Sequence, residues 1–392
     1  MEIISTTPDL QNLCAELARD EFVAVDTEFM REQTFWPILC LIQIAGSRRE
    51  AVIDPLSPDL DLAAFYELMA NQRVVKAFHA ARQDLEIIFV RSGTIPRPLF
   101  DTQVAAMVCG FGEQVSYEGL VRSLAGAKVD KSSRFTDWSR RPLSDRQLAY
   151  ALSDVTHLRT IYAKLKAKLD RSGREPWLQE EMAVLTSPGT YRSDPKEAWR
   201  RIKFRTRSRR QLAVLAAVTE WRETEAQTRD VPRNRVIKDD VLVELAVQAP
   251  RSVADLKDLR ALPKGFSGSR FAEPIVEAVS AALARPESEW PPLGPVVDGR
   301  VEGTSAIIEV LRLALKIVCD SEGIAPRLVA STADLEAIAA GARDDVALLH
   351  GWRNVVFGRT ALALVRGEIA ISLEKGRPIL IPAQPKALAA AE

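Results

Sequence analysis

The stretch EFVAVDTEF, residues 21–29, decides how the N-terminal half of this chain is read. It is a short apolar run rich in β-branched residues, the signature of a strand, and it ends in Asp26 and Glu28, two residues apart. Side chains alternate along a strand, so both carboxylates fall on one face. Two acids side by side in a mostly buried sheet repel each other and are poorly solvated, so they must protonate unless a cation lies between them. Taken alone, the pair is also compatible with a solvated strand end.

Similar runs follow on the C-terminal side. ILCLIQIAG (38–46) and EAVIDPL (50–56) read as strands that can join the first in an antiparallel meander, and RVVKAFHA (73–80) and RPLFDT (97–102) supply two more. Helical stretches are expected at 6–19, 60–71, 82–92, 101–109 and 116–125, which makes the region a mixed five-stranded sheet flanked by helices. After Pro142, Ser144 and Gln147 have the S-x-x-Q spacing of a capping box, so a long helix should run from about Asp145 toward Ser172 and end near Gly173. Its buried stripe is Leu148, Leu152, Val155, Leu158, Tyr162 and Leu165.

SPGTYRSDP, residues 187–195, is a turn-rich linker, and everything beyond it reads as helical. Helices are expected at 208–227, 239–248, 252–260 and 267–284. After a Pro-rich linker at 285–297 a third block follows at 303–320, 331–341, 344–350 and 358–366, with a loose tail after Ile379. The two helical blocks are alike in size and character, without a strict repeat.

The chain has 392 residues, beyond the size at which one core keeps growing, so two or three domains are expected. Lys+Arg and Asp+Glu number 53 each, which excludes a uniformly basic nucleic-acid coat and makes any basic surface local. Cys14, Cys40, Cys109 and Cys319 are scattered without a CxxC pair, which argues against zinc or a disulfide framework. The first residues lack the order of a secretory signal and no apolar run is long enough to span a bilayer, so the expected setting is cytoplasmic, away from membranes.

Three further residues carry possible chemistry. Tyr150 and Asp154, four apart on the capped helix, share a face, with His157 near them; an isolated pair of this kind is also what a polar stripe opposite a leucine face gives. Asp84 starts a helix just past the strand RVVKAFHA, where an Asp is often a simple helix-start residue, yet ends of strands in open α/β sheets are where sites assemble.

Strand-D-x-E, then strand-turn-D about sixty residues on, then Y-x-x-x-D on a helix, resembles the three motifs of the DEDD exonuclease superfamily in its tyrosine branch. VDTEFMRE, LCLIQIA, FHAARQDLEIIF and LAYALSDVTHL are similar to stretches of the ribonuclease D family, and LAVLAAVTEWRETEAQTRDVPRNRVIKDDVLVELA resembles its HRDC (helicase and RNase D C-terminal) domain. The resemblance implies an α/β ribonuclease H-like catalytic domain at 1–192 and two all-α HRDC-like domains at 203–285 and 298–378. It implies a 3′–5′ exoribonuclease acting on RNA, in particular tRNA precursors in 3′ maturation, with no obligate protein partner. Catalysis would rest on Asp26, Glu28, Asp84, Tyr150 and Asp154. The four acids would hold two cations: Asp26 bridging both, Glu28 and Asp154 completing the first site, Asp84 serving the second mainly through water. Oxygen-only donors favour Mg²⁺ or Mn²⁺ over zinc. Tyr150 would orient the attacking water, since a phenol with an ordinary pKa of about 10 serves better as a hydrogen-bond partner than as a base.

Glu28 would also accept a hydrogen bond from the terminal 3′-OH. Phe29 and Met30 would contact terminal bases or else pack beneath the sheet, and Gln43 and His79 are site neighbours or structural residues. RRIKFRTRSRR, residues 200–210, which includes Arg205 and Arg207, suits phosphate contacts, or is a solvated helix face. Two rival readings remain: a DNA-directed 3′ exonuclease, because the same machinery hydrolyses either backbone, and a non-catalytic nucleic-acid-binding protein.

Overall fold

The computed structural model describes residues 2–130, 136–293 and 304–383. In the N-terminal region β1 (Ile3–Ile4), β2 (Phe22–Met30), β3 (Ile38–Ala45), β4 (Glu50–Ile53), β5 (Val75–Phe78) and β6 (Leu99–Asp101) form one sheet in the order β1-β4-β3-β2-β5-β6. β2, β3 and β4 are the antiparallel meander, while β1 joins β4, β5 joins β2 and β6 joins β5 in parallel. The five expected strands are all present, but the sheet has six. The additional strand is Ile3–Ile4, which lies beside Val52 and Ile53. Two residues carry no periodicity, so only the exposed edge of β4 makes them a strand.

The helices are α1 (Thr7–Leu17), α2 (Ala63–Ala70), α3 (Arg82–Ser92), α4 (Thr102–Val108), α5 (Tyr117–Leu120, continued by a π-helical turn over Val121–Ala125), α6 (Asp145–Ser172) and α7 (Glu175–Leu185). The sequence reading missed α7. α6 begins and ends where the capping signals put it: Ser144 and Gln147 form the reciprocal box, and Gly173 closes the helix at φ +66°. It crosses the sheet at Ala24 and Ala45, which face each other in register and pack under Val155 and Leu158. Small side chains at that crossing let the helix backbone approach the sheet, and this brings its first turns to the end of β2. Arg141 fixes the approach to α6 from outside, its Nη2 and Nε donating to Asp54 at 2.6 Å and Nη2 also to the Cys40 carbonyl at 2.7 Å.

The second block contains α8 (Arg209–Thr228), α9 (Arg233–Val236), α10 (Asp239–Gln248) and α11 (Ala272–Ala284) around its own core of Val214, Leu215, Val218, Leu242, Leu245 and Ile275. The helix expected at 252–260 is only a 3₁₀ turn at Asp255–Asp258, and that expected at 267–284 starts at Ala272. Pro263 and Gly265, the latter at φ +83°, interrupt this stretch.

The third block contains α12 (Thr304–Glu322), α13 (Pro326–Val329), α14 (Thr332–Ala339), α15 (Gly351–Arg353) and α16 (Arg359–Val365), with a 3₁₀ turn at Ala347–Leu349 where a helix was expected. It is not all-α. β7 (Ile369–Glu374) and β8 (Arg377–Pro382) form a hairpin, so the chain past Ile379 is paired as far as Pro382; residues 384–392 lie outside the described residues, as do 294–303. Lys375 and Gly376 both have positive φ, +49° and +76°, the two-residue loop geometry that matches the twist of a hairpin. Among the described residues no helix is long and apolar enough to cross a membrane.

Candidate active site

β2 carries Asp26 and Glu28 toward α6, and α6 carries Asp154 toward β2. One carboxylate oxygen from each of the three lies within 4.8 Å of the others. The ladder between β2 and β3 slips one residue between Glu28 and Phe29. After that bulge Phe29 packs against the main core, while Met30 joins Trp138, Leu148, Ala151 and Tyr150 on the α6 side.

Asp84, in the first turn of α3, stands outside this trio but is held to it by the residue between the two β2 acids. Thr27 Oγ1 donates to Asp84 Oδ1 at 2.5 Å. The turn that aims α3 is fixed in turn by Asp101 at the end of β6, which is 2% exposed. Its carboxylate accepts from the Ala80 and Ala81 amides at 3.1 and 2.8 Å and caps α4 through the Gln103 amide at 2.8 Å. Ala80 is thereby held at φ +57°, a conformation that an alanine adopts only under constraint.

Burial pushes the Asp26 carboxyl well above the usual carboxylate range, and the neighbouring Asp154 pushes it further; a backbone hydrogen bond at Thr27 opposes them. Asp84 is raised for the same first reason, with Asp26 as the charged neighbour and Thr27 as the opposing donor. Acids arranged this way store repulsion that a divalent cation would relieve, and their donors are hard oxygens throughout, which suits Mg²⁺ or Mn²⁺. The residues present therefore fit a divalent metal centre.

Around the acids, Tyr150 is stacked on Trp138 with ring centroids 6.0 Å apart. His79 packs at 5.5 Å on Tyr117, whose hydroxyl donates to the Ser153 carbonyl at 3.0 Å and whose pKa is raised by burial and then by Asp154 and Asp26. His79 Nδ1 lies 3.0 Å from Thr102 Oγ1, and burial lowers its pKa. Gln43 stands directly opposite Asp26 in the β2–β3 register and is fully buried. Arg205 and Arg207 belong elsewhere, on the strap entering the second block. From Ile202 to Ser208, between a 3₁₀ helix ending at Arg201 and the start of α8, that strap is not helical: Arg201, Lys203, Arg205 and Arg207 alternate as exposed residues with Ile202 and Phe204, which pack against the second block's core.

Sequence reasoning missed Thr27, Asp101 and Trp138. Thr27 was in plain view inside D-T-E, and Asp101 before a helix start has a capping signature. Trp138 carries no local signal.

Comparisons with known proteins place this arrangement. A family model described as a 3′-5′ exonuclease matches residues 1–170, and a model described as the HRDC domain matches residues 211–279. The fold is thus that of a 3′–5′ exonuclease, a class that depends on divalent metal, joined to an HRDC domain. Curated relatives named Ribonuclease D include one from Nitrobacter hamburgensis, 47% identical over 381 residues (97% of this chain, 99% of the relative), and one from Jannaschia sp., 50% identical over 382 residues (96% and 98%). The crystal structure of Escherichia coli RNase D, described as an exoribonuclease involved in structured RNA processing, matches with TM-score 0.81 at 29% identity, covering 93% of this chain and 98% of that one. The chain belongs to the ribonuclease D family.

Proposed function

We propose that this 3′–5′ exoribonuclease shortens tRNA precursors from the 3′ end, releasing 5′-mononucleotides at a site that holds two Mg²⁺ or Mn²⁺ ions on Asp26, Glu28, Asp84 and Asp154. The observation that carries the reading is the meeting of three carboxylate oxygens within 4.8 Å on β2 and α6, in a chain matched almost end to end by relatives named Ribonuclease D. Bound divalent cations supply an acidified water and neutralise charge at the scissile phosphate.

The protein's own residues do the positioning. Tyr150, stacked on Trp138, orients the attacking water. Glu28, the outermost acid on β2, accepts a hydrogen bond from the terminal 3′-OH and so selects ends. Thr27 keeps Asp84 facing the Asp26 side. Met30, in the cluster with Tyr150 and Trp138, is the better placed of the two apolar residues to contact a terminal base, since Phe29 packs against the main core. His79 lines the same side through Tyr117.

The exposed row Arg201, Lys203, Arg205 and Arg207 contacts phosphates farther along the RNA. We divide the chain into the catalytic domain at 1–192, the HRDC domain at 203–285 and a second HRDC-like domain at 298–378. Support for the last is its helical make-up and size alone.

The test is a tRNA precursor with a 3′ extension, labelled at its 5′ end, against a matched single-stranded DNA. Metal-dependent laddering of the RNA, abolished by EDTA and by Asp26→Asn, is the expected result. Equal rates on DNA would replace the RNA assignment with the DNA one, and retention without shortening would leave a binding protein.

A further inference from the structure

A cavity of about 600 Å³ that the reaction scheme does not use opens where the catalytic region, the linker and the second block meet. Trp36 from the loop after β2, Phe89 from α3, and Tyr191, Arg192, Ser193 and Asp194 from the linker line it. Its size falls within the roughly 300–1,000 Å³ usual for sites that hold small molecules.

The walls are set from two sides. Arg31 donates from Nη1 and Nη2 to the Glu86 carboxylate, both at 2.8 Å, so the loop carrying Trp36 is clamped to the helix carrying Phe89. Phe89 meets Tyr191 with ring centroids 6.2 Å apart, and the Tyr191 hydroxyl is engaged with the Leu185 carbonyl at 2.6 Å. The second block holds the other edges. Asp230 accepts from the Trp36 amide at 2.9 Å, Gln227 Nε2 donates to the Ser193 carbonyl at 2.8 Å, and Arg233 Nη2 donates to Ser193 Oγ at 3.3 Å.

Two features say what such a cavity takes. Arg192 at its lip is exposed and, among the described residues, has no acid within ion-pair range, whereas Asp194 beside it caps the following turn by accepting from the Lys196 amide at 2.9 Å. Aromatic faces beside an unpaired guanidinium match a nucleobase and its phosphate, because every base can stack on a ring and a lone cation attracts phosphate. The position agrees: Phe89 lies on the same helix as Asp84, about 8 Å further along its axis, which is a few nucleotides from the acids. Beyond Asp194 the chain leads on to the basic row from Arg201 to Arg207.

We propose that this cavity is a stacking subsite for one unpaired nucleotide of single-stranded RNA upstream of the 3′ end, with its base against Trp36 and the Phe89–Tyr191 pair and its phosphate on Arg192. The inference rests on the exonuclease reading above. Since the second block holds both Trp36 and Ser193, its docking shapes an RNA contact away from the cleaved bond.

The test uses the full-length chain carrying Asp26→Asn, titrated in Mg²⁺ with single-stranded RNAs that each hold one 2-aminopurine at a different distance from the 3′ end. Quenching should peak at one internal position. It should be lost in Trp36→Leu, which keeps an apolar side chain without a ring, and largely restored in Trp36→Phe. Affinity for RNA should fall about 10-fold in Trp36→Leu. An abasic unit at the peak position should weaken binding of the Asp26→Asn parent as much, and that of Trp36→Leu by less than twofold. Arg192→Gln should lower the slope of log affinity against log salt by about 0.7, the share of one phosphate on a single strand.

A quenching profile without an internal maximum, or one that Trp36→Leu leaves unaltered, would overturn the proposal. Equal affinity for the abasic and intact RNAs would do the same, since that arm leaves the protein unchanged. If the wild-type chain shortens no RNA in Mg²⁺ or Mn²⁺, the exonuclease reading fails instead.

Discussion

The second helical block meets the catalytic region through polar and aromatic contacts at one loop, whereas the third shares its hydrophobic core. At the second block's junction the Asp230 carboxylate accepts from the Phe35 and Trp36 amides, both at 2.9 Å, and the Arg233 guanidinium lies 4.4 Å over the Phe35 ring. Phe35 also packs on Ala226 and Val236, while the block's main core stays separate. The third block has no such separation. Leu311, Leu315, Leu335, Trp352 and Phe357 belong to one buried cluster with Leu178 and Met182 of α7 and with the sheet. Trp352 stacks on Trp177 at 4.9 Å and 12°. Backbone touches backbone there as well: the Ala325 amide donates to the Met107 carbonyl at 3.1 Å, and a Cβ on Gly110 would meet the Gly323 carbonyl at 2.4 Å. Interfaces that continue a core unfold with it, and polar ones permit relative motion. The third block is thus part of the catalytic folding unit, and the second is an appended one.

The largest test of that difference is truncation. A chain ending at residue 293 should lose soluble expression or its main melting transition, because the α7 face under Trp352 is left bare. Residues 203–293 alone should still melt cooperatively by circular dichroism. A truncated chain that melts like the full one would end the comparison.

Single substitutions follow at a smaller scale. Trp352→Ala should cost about 3–5 kcal/mol in the transition of the catalytic unit. Glu223→Ala should cost about 1–3 kcal/mol in the second block, because the buried Glu223 carboxylate accepts from Arg222 at 3.2 Å and from Arg233 Nε at 2.7 Å, and Arg222 then keeps only Asp239 and the Ile237 carbonyl. Differential scanning calorimetry of the two variants should therefore move two different transitions, and movement of a common one would contradict the picture.

The acids of the site sharpen the same contrast through pH. Asp26 and Asp84 have folded-state pKa values raised above their unfolded ones, so they favour the fold most when protonated. Their contribution is full below the ordinary carboxylate range and is lost as pH rises through the raised values. Without metal, the catalytic transition should move to higher temperature on acidification from neutral pH toward that range. Asp26→Asn should raise it at neutral pH and flatten the dependence, with the second block's transition unmoved. A lower melting temperature for Asp26→Asn in EDTA would show that repulsion is not stored there.

The smallest effect expected is that of Asp230→Ala, about 1 kcal/mol from two lost hydrogen bonds. Faster hydrogen exchange at the Phe35 and Trp36 amides is its direct signature, and unchanged exchange would mean that other contacts hold the junction.

Sequence alone determined what is local or periodic. The strand ending in Asp26 and Glu28, the capped helix carrying Tyr150 and Asp154, and the helix start at Asp84 all follow from spacing, caps and turns within a few residues. The order of those motifs was enough to suggest the family. Tertiary structure decided what depends on partners distant in the chain. Ile3–Ile4 is a strand only because β4 has an edge to offer, and the pairing of β7 with β8 fixed the end of a block whose earlier residues read as helical. The merger of the third block with the catalytic core depends on apolar surfaces of α7, α12 and Trp352 meeting, which no window of sequence contains. The link from Thr27 to Asp84 and the burial of Gln43 beside Asp26 are of the same kind: spacing names the acids, and only packing sets how far apart their charges lie and what surrounds them.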